Sequence, residues 1–295
     1  MESKNIGWIG TGVMGKSMCS HLIKAGHQAH VYSRTQIKAN ELIEAGAVWC
    51  SSPAEVAEKS DIVFSIVGYP SDVEEIYFGE NGVLNESPKC TTIVDMTTSE
   101  PSLAQTIAEK AAEKSINSLD APVSGGDIGA KEGKLAIMVG GEESTFQEVL
   151  PFFQIMGENI ALMGKAGSGQ HTKMANQIKI ASTMIGVVES LLYGYKAGLD
   201  LNELLDVIGK GAAASWSLNT LGRRIATGDF DPGFFIKHFV KDMGIALTES
   251  KKMQLALPGL AMAHQFYISA MSLGYENLGT QALYKVFEGM NRVAD

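Results

Sequence analysis

A short apolar strand, Ile6-Gly7-Trp8-Ile9, runs straight into Gly10-Thr11-Gly12-Val13-Met14-Gly15, and no other junction restricts the fold as much. The helix that follows carries Met18, Leu22 and Ile23 and ends at Gly26, after which His30-Val31-Tyr32 reads as a second strand. Glycines at this spacing permit a tight turn and a close backbone approach, and the helix start offers unpaired N–H groups to a pyrophosphate. The context of strand, turn, helix and second strand turns a weak six-residue motif into a βαβ nucleotide-binding unit. Gly10, Thr11, Gly12, Val13, Met14 and Gly15 are therefore candidate cofactor contacts.

The end of the second strand selects the cofactor. An NAD site usually places an acid there to grip the ribose 2′-hydroxyl. This chain has Tyr32-Ser33-Arg34-Thr35, and no acid follows until Glu41. Arg34 can hold a 2′-phosphate bidentately, with Ser33 and Thr35 as hydroxyl donors. NADP is the expected cofactor. The alternative is that Arg34 only stacks on adenine, in which case NAD binds as well.

Strands and helices keep alternating. Asp61 to Val67 predicts a buried parallel strand, followed by a turn through Gly68-Tyr69-Pro70-Ser71 into a helix. Thr92 to Asp95 predicts another, with Met96-Thr97-Thr98-Ser99 at its carboxyl end. Ligands bind outside the carboxyl ends of such strands, which makes Val67 and Thr98 candidate cofactor contacts. Leu119-Asp120-Ala121-Pro122-Val123-Ser124-Gly125-Gly126 breaks the pattern. In that loop Ser124, Gly125 and Gly126 offer backbone N–H groups able to hold a carboxylate. Leu135–Val139 and Ile160–Met163 predict two further strands, with a helix from Thr145 to Phe153 between them.

Past Gly164-Lys165-Ala166-Gly167 no strand pattern is visible, and that segment predicts the boundary between domains 1–165 and 166–295. From Gly167 to Ala197 apolar residues recur three and four apart without proline, the pattern of a helix roughly 45 Å long. Lys173, Lys179, Glu189 and Lys196 interrupt it, so it is not a membrane span. It reads as a spine buried on several sides. Lys173, Asn176 and Gln177 fall within about one turn, so two or all three can face one cleft. Leu201–Ile208, Leu218–Ala226, Phe235–Leu255, Pro258–Leu273 and Gln281–Glu288 predict the remaining helices. The fold class is α/β: a Rossmann-type dinucleotide-binding domain, then an all-α domain built on a long interdomain helix.

Composition removes other function classes. A formal charge of −9 gives no general attraction to nucleic acid or anionic lipid, so an anionic substrate needs local positive groups. Cys19, Cys50 and Cys90 are single and widely spaced, which suits neither a disulfide framework nor a zinc site, and no metal is expected. The first residues lead into a strand without a signal-peptide core, which points to a reducing cytoplasm.

With these motifs placed, the chain resembles the β-hydroxyacid dehydrogenases, the family of 3-hydroxyisobutyrate dehydrogenase, tartronate semialdehyde reductase and the glyoxylate/succinic semialdehyde reductases. The resemblance covers nearly every residue. It rests on Gly10 to Gly15, Asp120 to Gly126, Gly167-Ser168-Gly169 with Lys173 and Asn176, and Lys241-Asp242, in that order. It implies reversible NAD(P)-dependent oxidation of a short hydroxy acid by a dimer or tetramer joined through helical domains. By the same resemblance Lys173 is the catalytic lysine, and Ser124, Gly125 and Gly126 form the substrate-carboxylate loop. Thr98 and Lys241 contact the nicotinamide side. Some members carry asparagine four residues after the lysine. Here Gln177 stands there with Asn176 beside it, so either amide can face the site.

The chemistry supports these roles independently. Hydride delivery to an aldehyde leaves an alkoxide that needs a proton and a neighbouring positive charge, and an ammonium supplies both. A free lysine titrates near about 10.4, and burial, Lys241 and an oxidised nicotinamide would all lower it. Lys173 takes precedence over His171 and His238 as the acid–base. Trp216, Phe234 and Phe235 are candidates to wall a substrate pocket, and Arg223 and Arg224 to reach a distal anionic group. A non-catalytic cofactor-binding module would lack Lys173, imine reductases of the same superfamily generally replace it, and a 6-phosphogluconate dehydrogenase needs a longer helical half.

Overall fold

The computed structural model describes residues 2–85 and 88–291. The chain divides into two compact units, Met1–Lys173 and Met174–Asp295.

The first unit alternates strands and helices: β1 (Asn5–Ile9), α1 (Val13–Lys24), β2 (Gln28–Tyr32), α2 (Asn40–Glu44), β3 (Val48–Trp49), α3 (Pro53–Lys59), β4 (Ile62–Ser65), α4 (Pro70–Phe78), β5 (Thr92–Asp95), α5 (Pro101–Ala112), β6 (Asn117–Asp120), β7 (Val123–Ser124), α6 (Gly126–Glu132), β8 (Leu135–Gly140), α7 (Glu143–Met156) and β9 (Gly157–Gly164). The sheet runs β3-β2-β1-β4-β5-β6-β8-β7, with β9 paired to β8. From β3 to β6 every pairing is parallel; β8 then pairs antiparallel with β6 and β7 and parallel with β9. Strand order reverses at β1 and β4, which opens a crevice at their carboxyl ends.

The core follows the period of two along each strand. Ile6, Trp8, Val31, Phe64, Val94 and Leu119 pack on one face with Met18 and Leu22 of α1 and Phe152, Phe153 and Met156 of α7. Ile9, Val63 and Ile93 face the other way, onto Val56 of α3, Val73, Ile76 and Tyr77 of α4, and Leu103 and Ile107 of α5. A side chain at Gly7 would collide with Val56 and Val63, so α3 can approach β1 only over a glycine. The strand expected from Asp61 to Val67 is shorter, Ile62–Ser65, because Ile66 and Val67 have already turned into the loop at the crevice.

The second unit is helical. It starts on α8 (Ser168–Lys196), which leaves the first unit after Lys173, and continues through α9 (Leu201–Ile208), α10 (Arg223–Ala226), α11 (Ile236–Lys252), α12 (Pro258–Ser272) and α13 (Leu283–Met290). Ala181, Met184, Ile185, Val188, Leu191 and Leu192 carry α8 into a core with Phe239, Met243 and Ala246 of α11 and Leu260, Ala263 and Tyr267 of α12. Burial along α8 is broad but not complete: Ala175, Lys179, Ser182, Gly186, Glu189 and Tyr193 form one exposed stripe at alternating spacings of four and three. The helix expected over Leu218–Ala226 is split, with a π-helical turn over Ser217–Gly222 before α10. No helix among the described residues is long and apolar enough to cross a membrane.

Candidate active site

The turn from β1 to α1 is built so that only glycine fits at two positions. Gly10 has φ +99°, and a side chain there would strike the Ile66 carbonyl, while one at Gly15 would strike the carbonyl of Gly10. A Cβ at Gly12 would meet nothing within 4 Å, so this glycine leaves open space instead of filling a tight contact. The first turn of α1 has no side-chain cap and no acidic residue, which keeps its N–H groups and its positive dipole end available to an anion. Val13 is exposed and Met14 half-buried at that helix start. Thr11 Oγ1 and Ser99 Oγ are buried without a hydrogen-bond partner, and both sit in loops at the carboxyl edge of the sheet. Open space, an uncapped helix start and the orphaned Thr11 hydroxyl fit a bound dinucleotide phosphate.

Tyr32 O accepts from Gly10 N at 2.9 Å, which brings the end of β2 beside the turn. Ser33 is half-buried there, and Arg34 and Thr35 are exposed. Arg34 donates to Asp72 of α4 at 2.7 Å, and the other Asp72 oxygen accepts from Tyr69 N at 3.1 Å. The residue that the sequence marks as a phosphate ligand is thus already paired with a carboxylate from a segment remote in sequence. Glu41, the nearest acid along the chain, is turned toward Lys16 at 2.6 Å.

Further along the edge, Val67 N donates to Thr97 Oγ1 at 3.0 Å, and Thr97 N donates to Asp95 Oδ1 at 3.1 Å. Ser65 Oγ also donates to Asp95, at 2.9 Å, and stands 2.9 Å from the Tyr77 hydroxyl. Burial pushes the Asp95 carboxyl up to about 6, with the Asp120 charge adding to the rise. Thr98 is half-buried, between the buried Thr97 and Ser99.

Asp120 ends β6 and opens the stretch that leads to Ser124, Gly125 and Gly126. Gly125 and Gly126 have φ of +131° and +64°, a backbone path that disfavours any side chain, and Ser124 is half-buried. The Asp120 carboxylate accepts from Gly167 N and Gln170 N, each at 2.8 Å, and so caps α8 across a gap of about fifty residues. Burial raises its pKa while those N–H groups oppose the rise. Lys173 follows one turn later and is only 6% exposed.

In the second unit Gln177 is 1% exposed and donates to Asp242 Oδ2 at 2.6 Å, and it accepts from Asn176 Nδ2 at 2.8 Å. Asn176 is half-buried and lies three residues after Lys173 on the same helix. Lys241 Nζ lies 2.9 Å from Asp242 Oδ1, an ion-pair contact rather than a directed hydrogen bond. Phe234 packs on Phe239 at 5.7 Å between ring centres, Phe235 meets His238 edge-on at 5.8 Å, and Trp216 is exposed. Arg223 is bound to Asp206 at 2.6 Å, and Arg224 holds Asp229 through two nitrogens at 2.7 and 2.9 Å. Both arginines are engaged in structural pairs.

Asp72, Gln170 and Asp242 have no role that sequence alone assigns. Asp242 carries a signal, a carboxylate next to Lys241, but a partner 65 residues away cannot be read from spacing. Gln170 stands in plain view one turn before Lys173.

Residues 5–164 match the family model described as the NAD binding domain of 6-phosphogluconate dehydrogenase, and residues 167–287 match that described as NAD-binding of NADP-dependent 3-hydroxyisobutyrate dehydrogenase. The chain is 54% identical to the probable 3-hydroxyisobutyrate dehydrogenase-like 1, mitochondrial, of Arabidopsis thaliana, over 99% of this chain and 88% of that protein. It is 41% identical to 2-hydroxy-3-oxopropionate reductase of Escherichia coli, over 97% of each. The solved structure of Mycobacterium tuberculosis 3-hydroxyisobutyrate dehydrogenase with L-serine superposes with a TM-score of 0.86 at 27% identity, covering 97% of this chain and 99% of that one. The chain belongs to the β-hydroxyacid dehydrogenase family and is an oxidoreductase acting on a CH–OH group.

Proposed function

We propose that the protein reduces a short semialdehyde or keto acid, and oxidises the corresponding hydroxy acid, with NADP(H) preferred over NAD(H) and Lys173 as the acid–base. The observation that carries this reading is the bonding of Asp120 to Gly167 and Gln170. It ties the Ser124-Gly125-Gly126 loop to the start of the helix bearing a buried Lys173.

Gly10 to Gly15 would hold the pyrophosphate, Ser33, Arg34 and Thr35 the 2′-phosphate, and Val67, Thr98 and Lys241 the nicotinamide side. When bound, the reduced nicotinamide supplies a hydride. The chain's own residues do the rest. Ser124, Gly125 and Gly126 bind the substrate carboxylate and so fix which carbonyl face is presented. Lys173 places an ammonium at the carbonyl oxygen, stabilises the charge that develops there and gives up a proton; in oxidation the neutral amine takes it back. Asn176 orients the hydroxyl group, and Gln177, locked to Asp242, fixes Asn176. The assembly in this reading is a dimer or tetramer through the helical unit, which light scattering on the purified protein tests.

The deciding experiment is steady-state kinetics with NADPH and NADH against glyoxylate and the succinic, tartronate and methylmalonate semialdehydes, with the reverse oxidations alongside. Turnover on one of these carboxylates that is lost with the corresponding amide or ester supports the reading. Equal turnover on uncharged aldehydes overturns the carboxylate assignment.

A further inference from the structure

The Gln170 side chain, fully buried, spans the loop that carries Thr98. Its Oε1 accepts from Ser99 N at 2.9 Å and its Nε2 donates to Thr97 O at 2.7 Å, so one amide clamps the peptide groups on both sides of Thr98. Its own backbone N–H is held by Asp120 at 2.8 Å. A side chain at Gly169 would meet the Asp120 carbonyl at 2.6 Å and its carboxylate at 2.8 Å; one at Gly140 would meet Gly169 N at 2.7 Å. The backbones of Asp120, Gly140 and Gly169 are thus packed directly against one another at that junction. Lys173 is one turn further along the same helix, with Gln170 three residues before it.

We propose that Gln170 is a positioning residue: clamped to Thr97 and Ser99 and anchored by Asp120, it holds Thr98 at a fixed separation from Lys173. It thereby sets the nicotinamide end of the dinucleotide against the proton donor. The inference rests on the reading that Thr98 contacts that end. A buried amide with both polar ends matched is a high-stakes element, since each bond lost leaves a buried backbone group unpaired. Glutamine suits the task because it accepts from one peptide and donates to the other at once. Glutamate does so only when protonated. Its ionised form would set a carboxylate against the Thr97 carbonyl, close to Asp120 and, through Thr97, to Asp95, with Lys173 the cation one turn away.

The test is coenzyme binding by intrinsic fluorescence, with no turnover needed. NADPH is compared with 2′-phospho-ADP-ribose, which lacks the nicotinamide, and NADH with ADP-ribose in parallel. Gln170→Leu should weaken the intact dinucleotide by about 10-fold or more, the scale of one or two lost hydrogen bonds, while leaving the nicotinamide-free fragment within about 2-fold. Gln170→Glu should bind the dinucleotide more tightly at about pH 5 than at about pH 8, as protonation restores the second bond. Wild type and Gln170→Leu share Asp95, which titrates near about 6 beside Thr97, so their own pH dependence is the baseline, and the step is read as the excess in Gln170→Glu with NADH, which carries no 2′-phosphate. Equal weakening of dinucleotide and fragment, or no excess pH step in Gln170→Glu, overturns the positioning role. Thr98→Val separates the two ideas. If it leaves dinucleotide affinity unchanged, the reading of Thr98 fails. If it weakens affinity while both Gln170 variants bind normally, the inference about Gln170 fails.

Discussion

Arg34, at the end of β2, donates to Asp72 at the start of α4 at 2.7 Å, and this pair places a carboxylate beside the cation assigned to a 2′-phosphate. The Arg34 side chain is 77% exposed, so the pair itself contributes little to stability. On the role proposed for Arg34, the consequence expected of the pair is selectivity. Arg34→Ala should erase most of a NADPH preference of about 10- to 150-fold and spare NADH. Asp72→Asn should raise that preference several-fold, because the guanidinium loses its competitor and Asn keeps an oxygen for Tyr69 N. Michaelis constants for both coenzymes in each variant decide it; a wild type indifferent to the 2′-phosphate would refute the role of Arg34.

Lys173→Ala should fold and bind coenzyme normally yet turn over at least about 10²-fold more slowly, the scale of a lost acid–base group. Truncating a 6% exposed lysine leaves a void as well as a missing charge, so thermal melting belongs beside the kinetics. Turnover within a few-fold of wild type would remove Lys173 from the chemistry.

Ser124→Ala removes the hydroxyl but keeps the backbone N–H, so it should raise the substrate KM by only a few-fold while leaving that of the coenzyme unchanged. Gly126→Val is the harsher variant. At φ +64° a β-branched residue is strained, so the loop itself should distort and KM rise further. Parallel weakening of substrate and coenzyme in Ser124→Ala would mark the loop as structural.

Asp95 should make stability fall with rising pH. Its folded-state pKa of about 6 lies above an ordinary aspartate's, so the native state holds the extra proton between about pH 4 and 6. Stability is greatest below that window and lost through it, by at most about 3 kcal/mol for a shift of this size. Asp95→Asn keeps an acceptor for Ser65 and Thr97 but cannot ionise, so its advantage over wild type should appear above about pH 6 and shrink toward pH 4. Urea unfolding at both ends of that window measures it. Parallel pH curves for the two proteins would show that Asp95 does not carry the effect.

Local periodicity determined much of this protein by itself. The β1–α1 turn was legible because Gly10 and Gly15 satisfy a short-range steric demand, and α8 because its apolar residues recur at the helical period. α9 and β5 were legible to the residue, α9 because its cap Asp200 adjoins it and β5 because its own short run, Thr92–Asp95, is buried throughout. The family followed from four motifs in order. Tertiary structure decided what depends on residues meeting across the chain. Asp72 reaches Arg34 over 38 residues and Gln177 reaches Asp242 over 65, and no spacing rule relates such positions. The same holds for Asp120, whose place in a loop motif suggested nothing of its bonds to Gly167 and Gln170. A buried carboxylate needs N–H donors wherever the fold supplies them, and only the closed packing of Gly140 and Gly169 around it shows which ones those are.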